Sequence, residues 1–167
     1  MFDGESLCWK RHQLVAISDP DRDSVLRERI LQGVVVVVVR EGRLLMIRRA
    51  AGIAAGGSWC FVGGAIEPDE TQCQAVVREF VEEVGGRVWA ERKIWECSDQ
   101  AGKLLLHWWL AKLDSSRLRP NPAEVAEIRW CSAEEFEALP LVLETNVRFF
   151  EAVGRRLIEM GTEERSA

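Results

Sequence analysis

The chain has 167 residues, 47% of them hydrophobic and 29% charged, with a formal charge of −5. That length suits one domain able to bury a substantial core, and the acidic balance excludes a general binder of nucleic-acid polymers or anionic membranes. Cys8, Cys60, Cys73, Cys97 and Cys131 are widely spaced with no C-x-x-C pair, and the first residues, MFDGESLCWKRHQ, lack a basic and apolar leader. This reads as a cytoplasmic protein with reduced structural thiols and no zinc site.

Residues 1–32 read as an extension packed on the same domain, with a strand or hairpin arm at Leu7 to Ile17 and a turn at Asp19-Pro20-Asp21. Val34 to Val39 is a continuous β-branched run and predicts a central strand buried on both faces. Arg40-Glu41-Gly42-Arg43 is a tight turn, with glycine where φ turns positive, and Leu44 to Ile47 is the returning strand of a hairpin. Arg48-Arg49 close that strand before a small-residue loop, Ala50 to Ser58. Trp59 to Val62 is a short apolar strand leading into Gly63-Gly64.

The following stretch, GGAIEPDETQCQAVVREFVEEVGG, carries an uninterrupted helical pattern to Val84, and Gly85 is its stop. At about 100° per residue, Glu79, Glu82 and Glu83 fall within about a third of the helix circumference, with Val77, Phe80 and Val84 opposite them as a core stripe. Such a carboxylate cluster is either a solvated acidic face or a site for a hard divalent cation, which prefers oxygen ligands.

Strands follow at Arg87 to Cys97, Lys103 to Leu113 and Glu127 to Cys131, with a Pro-rich loop at Ser115 to Glu124. Ser132-Ala133-Glu134-Glu135 is a capped short helix stopped by Pro140, and Leu141 to Met160 has helical spacing at Val147, Phe150, Val153, Leu157 and Ile158. Residues 33–160 form one α/β domain, followed by a frayed tail at 161–167.

Gly64, Glu70, Arg78-Glu79, Phe80, Glu82-Glu83 and Gly85 stand at the spacing G-x5-E-x7-R-E-U-x-E-E-x-G-U, where U is a bulky apolar residue. The box Gly64 to Gly86 resembles the signature of the Nudix hydrolases, in their MutT-like branch. The flanking LLMIRRA, W-x-F-x-G-G-x-I-E, HWWLAKL and RWCSAEEFEALP segments are similar too, so the resemblance covers about residues 33–140. Two positions depart: Gly86 replaces the last apolar residue, and Val62 stands where many members carry proline.

The resemblance implies a Nudix-type α/β/α sandwich with a mixed central sheet, a catalytic loop-helix and a C-terminal helix. It also implies Mg²⁺- or Mn²⁺-dependent cleavage of a pyrophosphate in a nucleoside diphosphate linked to another moiety, a nucleoside triphosphate included. Glu79, Glu82 and Glu83 are then metal ligands, joined by the Gly64 carbonyl, and Glu82 and Glu83 belong to the catalytic group. Arg78 contacts phosphate or, the favoured reading, orients a box glutamate. Glu70 is a general base, a water-mediated ligand or a charge favoured by the helix dipole. A further carboxylate comes from a later loop, with Glu124 preferred over Glu127. Arg48 and Arg49 are candidates for phosphate, and Trp59, Trp108, Trp109 and Trp130 for stacking a base. Trp108 and Trp109 point to opposite sheet faces, and His107, sharing a face with Trp109, either meets a base or caps the sheet edge. The partner is a small nucleotide; a homodimer is compatible with the sequence. The alternative reading is a non-catalytic Nudix-like nucleotide sensor.

Overall fold

The computed structural model describes residues 30–163 except Ser116, so the expectations for residues 1–29 and 164–167 lie outside the described residues. Among the described residues, eight strands form two four-stranded sheets. The first has the order β5-β1-β7-β6, from β1 (Leu31–Val37), β5 (Val62–Ala65), β6 (Val88–Ser98) and β7 (Leu104–Leu113). It is mixed: β1 runs parallel to β7 and antiparallel to β5. In the second, β3 (Arg43–Arg49) pairs with β8 (Val125–Cys131) and with the short β2 (Val39–Arg40) and β4 (Trp59–Cys60).

The valine run is indeed central and buried on both faces, but it is not one strand. Val34, Val36 and Val38 enter one core, and Val35 and Val37 enter another. At Val38 the chain leaves the first sheet and continues as β2 in the second, so the hairpin is formed by β2 and β3. Its two turn residues, Glu41 (φ 56°) and Gly42 (φ 68°), are both left-handed, which matches the twist of the flanking strands. The chain returns between β4 and β5. Consequently Gly63 and Gly64, at the head of the acidic stretch, are strand residues opposite Val35 and Val34. A side chain on Gly63 would lie 2.2 Å from the Val34 carbonyl oxygen, so only glycine allows this pairing.

Helix α1 (Gln72–Val84) packs on the first sheet through Ala75, Val76, Phe80 and Val84. Thr71 caps it and Gln74 returns the bond, a T-x-x-Q box. Gly85 ends it in the left-handed region at φ 62°. Val77, expected in the core stripe, is 37% exposed. The buried arc is displaced toward Glu79 and Glu83, leaving Val77 at its margin.

The opposite core is aromatic: Trp108 stacks on Phe149 at 4.2 Å and Phe136 on Phe150 at 4.0 Å. Short helix α2 (Ala133–Glu137), capped by Ser132, supplies Phe136. The C-terminal helix begins as α3 (Glu144–Phe149), passes through a π-helical stretch (Phe150–Gly154) and continues as α4 (Arg155–Glu163). The π turn changes the inward arc, so Phe149 and Phe150 are both buried while Val147 lies outside. With α1 on one side and these helices on the other, the molecule is a mixed α/β sandwich. Among the described residues no helix is long and apolar enough to cross a membrane.

Candidate active site

The loop before α1 and the buried side of that helix meet at Arg78. Its guanidinium donates from Nε to Glu70 Oε1 (2.7 Å) and from Nη2 to Glu70 Oε2 (2.8 Å), a two-point fork. Nη2 also reaches the Ala65 carbonyl at 2.9 Å, and Nη1 donates to Glu79 Oε1 at 2.7 Å. The same Nη1 lies 3.5 Å from Glu82 Oε2. Glu70 further accepts the Glu67 amide at 3.0 Å. The Arg78 hydrogen bond, with help from that amide, holds the Glu70 carboxyl below its ordinary range despite partial burial. The same partners strengthen the hold of Arg78 on its proton.

Glu79 is 2% exposed and Glu83 5% exposed, whereas Glu82 projects outward. Glu83 accepts the Gly63 amide at 3.2 Å. Burial, with the nearby Glu79 charge, pushes the Glu83 carboxyl up to about 8; Arg49 opposes the rise and Glu124 adds to it. The charges of two predicted residues distant in sequence, Arg49 and Glu124, thereby act on Glu83. The Glu124 backbone also joins Arg49's strand, its carbonyl accepting the Ala50 amide at 2.9 Å.

Among the described residues no three His, Cys, Asp or Glu side chains form a ready cation cage. Of the expected ligands, Glu79 and Glu82 both approach Arg78 Nη1, at 2.7 and 3.5 Å, while Glu83 is held at the Gly63 amide. Other features do fit a hard cation. The donors are all oxygens, and positive charge would relieve the penalty on the buried Glu83 anion. Gly64 lies so close under Glu79 that an added Cβ would sit 2.0 Å from its Oε1, so glycine keeps that oxygen against the Gly64 backbone.

The remaining candidates separate. Arg49 Nε holds the Ala54 carbonyl at 2.9 Å, tying the small-residue loop to the site. Arg48 points the other way and pairs with Glu127 at 3.3 Å; Glu127 is also held by Arg129, leaving Glu124 as the loop carboxylate at the site. Trp59 does not offer a stacking face. It is 2% exposed, in the aromatic core, with Arg129 4.6 Å above its ring. Trp108 is fully buried in that core too, and Arg40 lies 4.3 Å over Trp130. Trp109 is half-buried on the opposite face from Trp108 and donates to Gln72 at the start of α1 at 3.0 Å. His107 is buried between Glu96 (2.8 Å) and Gln32 (3.0 Å), a satisfied sheet position. The Gly63 amide and the Thr71 cap carried no separate sequence expectation, although T-x-x-Q before an apolar run is a readable helix-start signal.

The chain is similar to known proteins over most of its length. A family profile described as NUDIX domain matches residues 30–153. The chain is 34% identical over 117 residues to the CTP pyrophosphohydrolase of Escherichia coli K12, spanning 68% of this chain and 84% of that protein. It is 31% identical over 106 residues to the NAD-capped RNA hydrolase NudC of Chromobacterium violaceum, 64% of this chain and only 40% of the relative. In fold it resembles the crystal structure of a NUDIX hydrolase from Nitrosomonas europaea, with TM-score 0.69 and 22% identity over 84% of this chain and 76% of the other.

Proposed function

The chain belongs to the Nudix hydrolase family, and we propose that within it the protein is a divalent-metal-dependent pyrophosphohydrolase of nucleoside triphosphates, CTP foremost. The observation that carries this reading is the intact charged apparatus: four box glutamates and Arg78, with Glu79 and Glu83 buried and the charge of Glu124 acting on Glu83. The CTP preference is carried by the likeness to the Escherichia coli enzyme, which extends over most of that protein.

In this reading Glu79, Glu82, Glu83 and the Gly64 carbonyl hold Mg²⁺ or Mn²⁺. The cation, when bound, offsets diphosphate charge and lowers the pKa of an attacking water. Arg78 does not touch substrate; it orients Glu79 and fixes the Glu70 loop against Ala65. Glu70 is a poor base, since both its oxygens are engaged and its proton affinity is lowered. Glu124 is the better acceptor for the water's proton, coming from a separate loop toward Glu83. Arg49, at the same site and on the small-residue loop, meets the phosphates. Trp109 is assigned to the edge of the nucleotide site, where Gln72 holds its indole.

The test is a panel of nucleoside triphosphates and nucleoside-diphosphate conjugates with Mg²⁺ or Mn²⁺ and product identification. Nucleoside monophosphate plus pyrophosphate from CTP supports the proposal. Tight nucleotide binding without turnover under both metals selects the sensor reading instead.

A further inference from the structure

Gly86, the glycine that departs from the family pattern, is buried. A Cβ there would fall 2.4 Å from Leu118 Cδ2 and 2.8 Å from Phe80 Cε1. The space that an apolar side chain at 86 would need is therefore taken by Leu118, from the loop between β7 and β8. Beside it, the Arg119 amide donates to the Val84 carbonyl at 2.7 Å and the Asn121 amide to the Glu83 carbonyl at 2.8 Å. Carbonyls at a helix C-terminus lack partners within the helix, so these two bonds dock the loop on the last turn of α1. Three residues on, the Glu124 amide is held by the Asn121 carbonyl at 3.0 Å.

We propose that Leu118 is a positioning residue: its side chain, seated over Gly86 and Phe80, docks the loop on the end of α1 and so sets Glu124 beside Glu83. The pair replaces an apolar residue on the helix exit with one on the loop. The same packing now joins two catalytic segments that are distant in sequence. This rests on the reading of Glu124 given above.

Two measurements test it. Hydrogen exchange in the full-length protein reads docking directly: Leu118→Ala loses protection at the Arg119 and Asn121 amides, and Leu118→Met, which keeps volume, retains it. Retained protection in a folded Leu118→Ala overturns the proposal whatever the turnover. The second is a kinetic cycle on CTP with Mg²⁺. Leu118→Ala lowers kcat roughly tenfold with little change in KM, as expected for a misplaced catalytic group, and the penalty disappears in a Glu124→Gln background. If it persists there, Leu118 does not act through Glu124, although Glu124 itself is still catalytic. If Glu124→Gln leaves kcat unchanged, the catalytic reading of Glu124 falls, and this proposal with it.

Discussion

Arg78 grips Glu70 with two arms of its guanidinium, Nε on Oε1 and Nη2 on Oε2, at 2.7 and 2.8 Å. Eight residues apart in sequence, they join the entry loop to the second turn of α1. Lysine supplies a point charge rather than a fork, so Arg78→Lys is expected to lower kcat/KM by about 10- to 100-fold, the range typical of residues that orient metal ligands. Glu70→Gln breaks the same fork and, with it, a charge-assisted pair contributing on the order of 1.5–3 kcal/mol. Chemical denaturation at neutral pH checks the second figure. Because the Glu70 pKa is lowered on folding, its contribution is present above the unfolded value near 4.5 and is lost as pH falls below it.

Glu83 has the opposite sign. Its folded-state pKa is raised from 4.5 to about 8, so the folded protein binds the extra proton between those values. Metal-free stability should be highest below pH 4.5 as far as this group is concerned, and should decline as pH rises toward about 8. Urea denaturation in chelator across that window measures the decline, and Glu83→Gln flattens it. Saturating Mg²⁺ should raise stability more at the alkaline end than at the acid end.

Gly64→Ala inserts a methyl group where the Glu79 carboxylate lies. Glu79 must move, and displacement of a catalytic group by about 1 Å costs on the order of 100-fold in rate. Steady-state kinetics should show that loss alongside weaker Mn²⁺ binding in a calorimetric titration.

Glu124→Gln and Glu127→Gln separate two neighbouring carboxylates. Glu124 acts on Glu83, while Glu127 is spent on Arg48 and Arg129. The first substitution should lower kcat by about 10²- to 10⁴-fold, the usual span for a general base. The second should leave kcat near wild type. Equal loss in both would remove Glu124 from its assigned role.

Local chemistry explains what was legible in the residues alone. Gly64, Glu70, Arg78 and the paired glutamates lie within one loop and one helix, so their spacing carried the family and the helix boundaries followed from Gly85. Ser132 and Glu135 declared the short capped helix in the same way. What failed was non-local. Val34 to Val39 has the composition of one strand, and nothing within it says that the chain changes sheets at Val38. Trp59 had the chemistry of a base platform, but its burial is decided by Phe61, Phe136 and Arg129, two of them more than sixty residues away. Val147 followed a regular 3.6-residue period that the π turn beyond it interrupts. Gly86 stands in the sequence as a bare departure from the box, because Leu118, which takes the space beside it, lies far along the chain.

The alternating valines of β1 have a consequence for how the protein comes apart. One strand lends Val34 and Val36 to the glutamate helix and Val35 and Val37 to the aromatic layer beneath the C-terminal helix. Neither layer can be exposed without withdrawing β1 from the other, so both should melt in a single transition. A cavity cut at Phe149, on the side away from the glutamates, would therefore lower the temperature at which the glutamate helix is lost.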